Sequence, residues 1–169
     1  KLFVCMIVLS LLFSSTVFAK TEKEKSGVKP KIQLAILLDT SGSMSGLIEQ
    51  AKAQPWKIVN EFITAKRGGL KPELEVALYE YGKDSIASSE GYIRMIAPLT
   101  NDLDKISQEL FALRTNGGSE YCGMVIKKAV EGLKWSLVKD DLKVIVIAGN
   151  EPFTQGSVDY KEACKLAVS

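Results

Sequence analysis

The sequence contains no histidine. That removes the commonest general base, the Ser-His and Cys-His nucleophile pairs and most zinc sites. A surplus of either charge is lacking too: 22 Lys and Arg stand against 20 Asp and Glu, a formal net charge of +2. Nothing in that balance points to nucleic acid or to an anionic membrane surface. The densest basic stretch, "AKRGGLKPE" (65–73), has three basic residues and no interleaved aromatic, so it reads as a solvated loop. The glycine-rich "NGGSEYCG" lacks the Lys-Ser/Thr pair of a phosphate loop. The apolar run from Leu2 to Phe13 falls short of the roughly 20 residues that a membrane-spanning helix needs.

What is present is ordinary for one globular domain: 169 residues, 46% hydrophobic and 25% charged. "KLFVCMIVLSLLFSSTVFA" (1–19) pairs a basic first residue with an apolar core and ends in the small-residue site Val17-Phe18-Ala19. It reads as a secretory signal peptide, so the mature chain is expected to be exported to a periplasm, a cell surface or the medium, without a membrane span. Cys5 would leave with it. "KTEKEKSGVKPK" (20–31) is charged, free of aromatics and reads as a flexible leader. Export places Cys122 and Cys164 where a disulfide can form. Each also falls on the apolar side of a helical pattern, so two buried thiols are the alternative. Neither has a histidine to activate it as a nucleophile.

From residue 32 onward, strand and helix patterns alternate. "IQLAILL" (32–38) is a continuous apolar run, suited to a strand buried on both faces. A helix is predicted from about Ser45 to Ala65, kinked or restarted at Pro55. "ELEVALYEYG" (73–82) and "GYIRMIAPLT" (91–100) are the next strands. Asn101 or Asp102 caps a helix carrying Leu103, Ile106, Leu110 and Leu113 on one face. A further helix spans Tyr121 to Leu133, "KVIVIAGNEPF" (143–153) is a buried strand with a loop at its end, and Ser157 caps a last helix. Trp56 and Trp135 read as core or half-buried anchors, and Tyr79 and Tyr81 as residues packed under a helix. Alternation of this kind argues an α/β sheet covered on both faces. Ligands bind such sheets at the C-terminal ends of the strands. "DTSGSM", "TNGGSEYCG" and "GNEPF" should therefore converge on one rim.

Asp39, Ser41 and Ser43 form D-x-S-x-S at the end of the first of these strands. One carboxylate and two hydroxyls make a hard, oxygen-only set suited to Mg²⁺, Mn²⁺ or Ca²⁺. With one strong anion the ion keeps positive charge and open positions, and can accept a carboxylate from another molecule. A plain strand-to-helix turn wants the same residue types.

Together, "DTSGSM", the helix after it, the later Gly-Gly-hydroxyl loop and "VIVIAGNE" resemble a von Willebrand factor A domain over residues 32–169. The resemblance implies a Rossmann-like fold: a central, mostly parallel sheet with one antiparallel edge strand and helices on both faces. By that comparison the chain stops before the last strands and the closing helix. It also implies a metal-ion-dependent adhesion site, opened by Asp39, Ser41 and Ser43. Ser119 stands where the family usually has Thr, with Thr115 nearby. Where the family often reads T-D-G, this chain reads Ala148-Gly149-Asn150. Glu151 is the nearest acid, expected to reach the ion through a water, and Glu120 and Asn150 are further candidates. The implied function is binding without catalysis, the cation joining the domain to an Asp or Glu on a partner protein. One alternative is an interaction domain with a degenerate metal site. The other is a phosphotransferase resembling the haloacid dehalogenases, with Asp39 as nucleophile, although that family wants a second Asp where this chain has Ser41.

Overall fold

The structure is a computed structural model that describes residues 29–67 and 69–169, with 3–8 described by backbone alone. The elements run β1 (Phe3–Val8), β2 (Lys31–Asp39), α1 (Ile48–Thr64), β3 (Glu73–Tyr81), β4 (Ile93–Thr100), α2 (Leu103–Ala112), α3 (Cys122–Gly132), β5 (Leu142–Gly149) and α4 (Tyr160–Val168). They form the expected α/β architecture, one mixed sheet in the order β1-β5-β2-β3-β4. β2 is central and runs parallel to β3 and β5, while β4 pairs antiparallel with β3 as one edge.

The opposite edge carries a second antiparallel strand, β1, paired with β5 from Phe3↔Gly149 to Val8↔Val144. The expected signal peptide (1–19) and leader (20–31) otherwise lie mostly outside the described residues. Among the described residues no helix is long and apolar enough to cross a membrane.

The period-2 side-chain alternation of β2 divides the core. Leu34, Ile36 and Leu38 pack with Val76, Leu78, Val144 and Val146 under α1 and α2, against Ala51, Val59, Ile106 and Leu110. Ala35 and Leu37 pack with Ala77, Tyr79, Ile145 and Ile147 under α3 and α4, against Val125, Ile126, Ala129 and Ala163. Both faces of the central strand are therefore dry, which is why its sequence is a solid apolar run. Trp56 and Trp135 are half-buried at the margins of these clusters, as expected.

One local alternative is decided and one expectation is corrected. α1 is a single helix from Ile48 to Thr64 with Pro55 inside it, and does not restart there. Ala51, Pro55 and Val59, spaced by four, are all buried on one face. Packing of that stripe outweighs the one hydrogen bond that proline forfeits. The last helix is capped by Asp159 and not Ser157: Asp159 Oδ1 accepts from the amides of Lys161 (2.7 Å) and Glu162 (3.4 Å). Asp102 is the cap of α2, accepting from the Lys105 amide at 3.0 Å.

Candidate functional site

Four loops meet at the C-terminal ends of β2, β3 and β5. The stretch after β2 turns at once into a short 3₁₀ segment, Gly42–Gly46. Thr40 ties it down: its N–H donates to Tyr81 O (2.9 Å), its carbonyl accepts from Asn116 N (2.9 Å), and its hydroxyl donates to Glu80 Oε2 (3.2 Å). The Asp84 N–H donates to Gly117 O, joining the loop after β3 to the Gly-Gly loop. Gly118 fits only without a side chain, since a Cβ there would strike the Gly82 carbonyl. The three polar loops foreseen in the sequence do converge, and the loop after β3, Gly82–Asp84, is a fourth.

Asp39 sits at the floor, 1% exposed. Its Oδ1 accepts from the Ser41 N–H at 2.8 Å. Ser41 Oγ and Ser43 Oγ lie 3.0 Å apart, and Ser43 Oγ donates to Asn150 Oδ1 at 3.0 Å. Asn150 Nδ2 in turn donates to the Ser43 carbonyl at 3.4 Å. Asp39, Ser41, Ser43 and Asn150 are thus one connected set. Burial pushes the Asp39 carboxyl from its ordinary 3.8 up to about 6; the Ser41 amide and hydroxyl pull it back, and nearby Glu120 pushes it further. Among the described residues no Lys or Arg pairs with Asp39.

The remaining candidates divide. Glu120 is buried close to Asp39, with Gln155 Nε2 donating to its Oε2 and its own N–H donating to Gln155 Oε1 at 3.3 Å. Ser119 and Thr115 are half-buried on the same loop. Glu151 is half-buried beyond β5, and among the described residues no hydrogen bond or ion pair joins it to Asp39, Ser41 or Ser43. Cys122 carries a free thiol whose Sγ lies 3.5 Å from Tyr81 Oη, so the pairing with Cys164 is not formed here. Burial raises that thiol to about 12.

At Gly149, where the resembling family carries an acid, the side-chain space is already filled. A Cβ there would lie 2.6 Å from Tyr81 Oη and 3.1 Å from Asp39 Oδ2. Tyr81 stands on β3 and Gly149 on β5, with β2 between them. The buried tyrosine reaches across beneath Asp39 and fills the space that an acid would enter.

Tyr81 lies in the core, as expected, and Glu80 beside it is a buried acid that the sequence analysis does not single out. Glu80 had a signal. It continues the Leu74, Val76, Leu78 face of β3, and a carboxylate on a buried face demands partners. They are Thr40, Lys83 (3.2 Å) and Arg94. Gln155 had no local signal.

No family model matches the sequence, and no curated protein matches it. Solved structures do. The vWF domain of the type V pili tip protein Mfa5 from Porphyromonas gingivalis superposes with a TM-score of 0.51 at 20% identity, over 70% of this chain and 37% of that one. The fold is von Willebrand factor A-like. The three N-terminal domains of Mfa5 give 0.49 at 15% identity over 86% of this chain and 25% of that one. The pilus adhesin SpaC from Lactobacillus rhamnosus GG gives 0.46 at 16% over 65% and 14%. The chain therefore spans well under two thirds of each of these structures.

The donor set fits a hard divalent cation. It offers only oxygens, and among the described residues no cationic side chain pairs with its one buried carboxylate at the floor. Among the described residues no group of three or more His, Cys, Asp and Glu could hold a metal ion, so a site here would depend on hydroxyl and amide oxygens around Asp39.

Proposed function

We propose that this chain is an exported protein-binding module that holds Mg²⁺ or Mn²⁺ at Asp39, Ser41 and Ser43 and through it grips an Asp or Glu of a partner protein. Ser119 and an acid from a neighbouring loop, Glu151 or Glu120, would complete the set. The observation that carries this reading is Asp39: a carboxylate 1% exposed, ringed by hydroxyls and lacking a cationic partner among the described residues. Burial of an ionised carboxylate is costly unless charge compensates it. A bound cation supplies that compensation and leaves positive charge facing the rim. The backbone pins the carboxylate from beneath through Ser41 N, and Thr40 fixes the turn, so the donors are arranged before any ligand arrives. The vWF domain of a pili tip protein that shares the fold is consistent with a role outside the cell.

One observation favours the alternative of a degenerate site. Ser41, Ser43 and Asn150 already satisfy one another. Thermal melts with Mg²⁺ or Mn²⁺ and with EDTA separate the two. A cation at about 100 times its dissociation constant stabilises a native-only site by about 2.7 kcal/mol. The melting temperature should rise with metal, fall back with EDTA, and not respond in Asp39→Ala. A parent indifferent to metal means a degenerate site; an Asp39→Ala variant that responds like the parent puts the metal elsewhere.

A further inference from the structure

Glu120 is the acid whose surroundings ask most. It is 7% exposed, and no Lys or Arg pairs with it among the described residues. What holds it is a neutral amide from 35 positions away: Gln155 donates to its carboxylate and accepts from its backbone N–H. The same carboxylate shares a glycine with Asp39. A Cβ on Gly82 would lie 2.9 Å from Asp39 Oδ1, 3.3 Å from Glu120 Cγ and 3.3 Å from Ser41 Cβ. Two buried acids, Asp39 at the end of β2 and Glu120 in the loop before α3, thus flank Gly82. A cation held between them would compensate both charges. The arrangement also accounts for Gly149. With Tyr81 Oη in the way at the end of β5, the second acid of the site has to come from another loop.

Resting on the metal-binding reading above, we infer that Glu120 is the second carboxylate of this site and Gln155 its latch: Glu120 leaves Gln155 as it closes on the cation, and the segment from Glu151 to Ser157 is released. Gln155 ties that segment to Glu120 on the rim, Phe153 packs it against the core under α3 and α4, and Gly156 beside Gln155 adopts a left-handed φ of +89° against the Tyr121 ring, which gives the chain a pivot there. Occupancy of the cation site is thereby reported to the surface loop that leads into α4. Glu151 takes no part in binding the ion.

The test is calorimetric titration of Mn²⁺ into the parent, Glu120→Gln, Gln155→Ala and Glu151→Ala, each first confirmed folded by its melt in EDTA. Glu120→Gln, close to isosteric, should weaken Mn²⁺ about 10- to 100-fold. Gln155→Ala should tighten it by roughly 2- to 10-fold, because a competing hydrogen bond to Glu120 is gone. Glu151→Ala should match the parent. Amide hydrogen exchange across 151–157 should quicken when the parent takes up Mn²⁺, and be fast in Gln155→Ala from the outset. Equal affinity in Glu120→Gln, weaker binding in Gln155→Ala, or exchange indifferent to Mn²⁺ overturns the latch while leaving the metal reading intact. A parent that takes up no Mn²⁺ overturns both.

Discussion

Tyr81 and Gly149 are complementary: the hydroxyl of one occupies the side-chain space of the other. Gly149 is not at positive φ, so the demand for glycine there is one of space and not of backbone conformation. Gly149→Ala should therefore cost about 1–3 kcal/mol through overpacking. Tyr81→Phe, which removes the contacting oxygen, should recover much of that cost when the two are combined. A double-mutant cycle by urea denaturation measures the coupling, and strict additivity would dissociate the two residues. Gly149→Asp, which the family pattern suggests as an improvement to the site, should destabilise it for the same reason. Asp39 makes a second prediction. Its carboxyl is raised from 3.8 to about 6 by burial, so the folded state holds its proton more tightly than the unfolded state does. Without metal, this group's contribution should improve as pH falls from about 6 toward 4, and its penalty should be fully present above about 6. Between pH 7 and pH 5 the gain is roughly 1 kcal/mol. Urea melts in EDTA at the two values should show it as the difference in slope between the parent and Asp39→Asn. Identical slopes would mean that Asp39 is not strained by its burial.

Elements are fixed here by their ends and by one buried stripe each. α4 begins where Asp159 gathers two amides, and it packs through Ala163 into the cluster that α3 shares. Asp159→Ala should cost about 1 kcal/mol, whereas Ser157→Ala should cost close to nothing. Chemical denaturation of the two variants decides which residue caps the helix. β2 and β3 are clamped at the site end by the buried Thr40–Glu80 contact, with Lys83 and Arg94 supplying the compensating charge. Periodicity made each of these elements readable from the chain. The solid apolar run predicts a strand dry on both faces, and spacing by three and four predicts α1 and α2. At Pro55 packing decides against a restart of the helix, and Ser157 does not cap α4 because a better cap competes. Proline within α1 is held by the stripe it belongs to, and Asp159, two residues later, presents its carboxylate to the first-turn amides.

At the scale of the whole molecule, Cys122 reports on the core. It is 1% exposed, packed beneath the sheet near Tyr81, and its thiol is pushed up to about 12 by burial. In a chain with Cys5 and Cys164 replaced by Ser, a thiol reagent at neutral pH should label Cys122 only as fast as the domain unfolds. Rapid labelling of the native protein would mean that α3 opens locally. The sequence by itself determined the alternation of strands and helices, the two dry faces of the central strand, the rim on which the polar loops meet, and the carboxylate and hydroxyls of D-x-S-x-S on that rim. Each of these follows from short-range chemistry: a period of 2 or 3.6, a turn residue, a carboxylate after an apolar run. Only the tertiary structure decided that Tyr81 on β3 fills the space beside Gly149 on β5, that Glu80 answers Thr40, and that Glu120 is held by Gln155. Those pairs are separated by 35 to 68 positions. They exist because strand order sets which loop ends are neighbours, and strand order is fixed by burial of the whole sheet, which leaves no periodic mark at the residues it brings together.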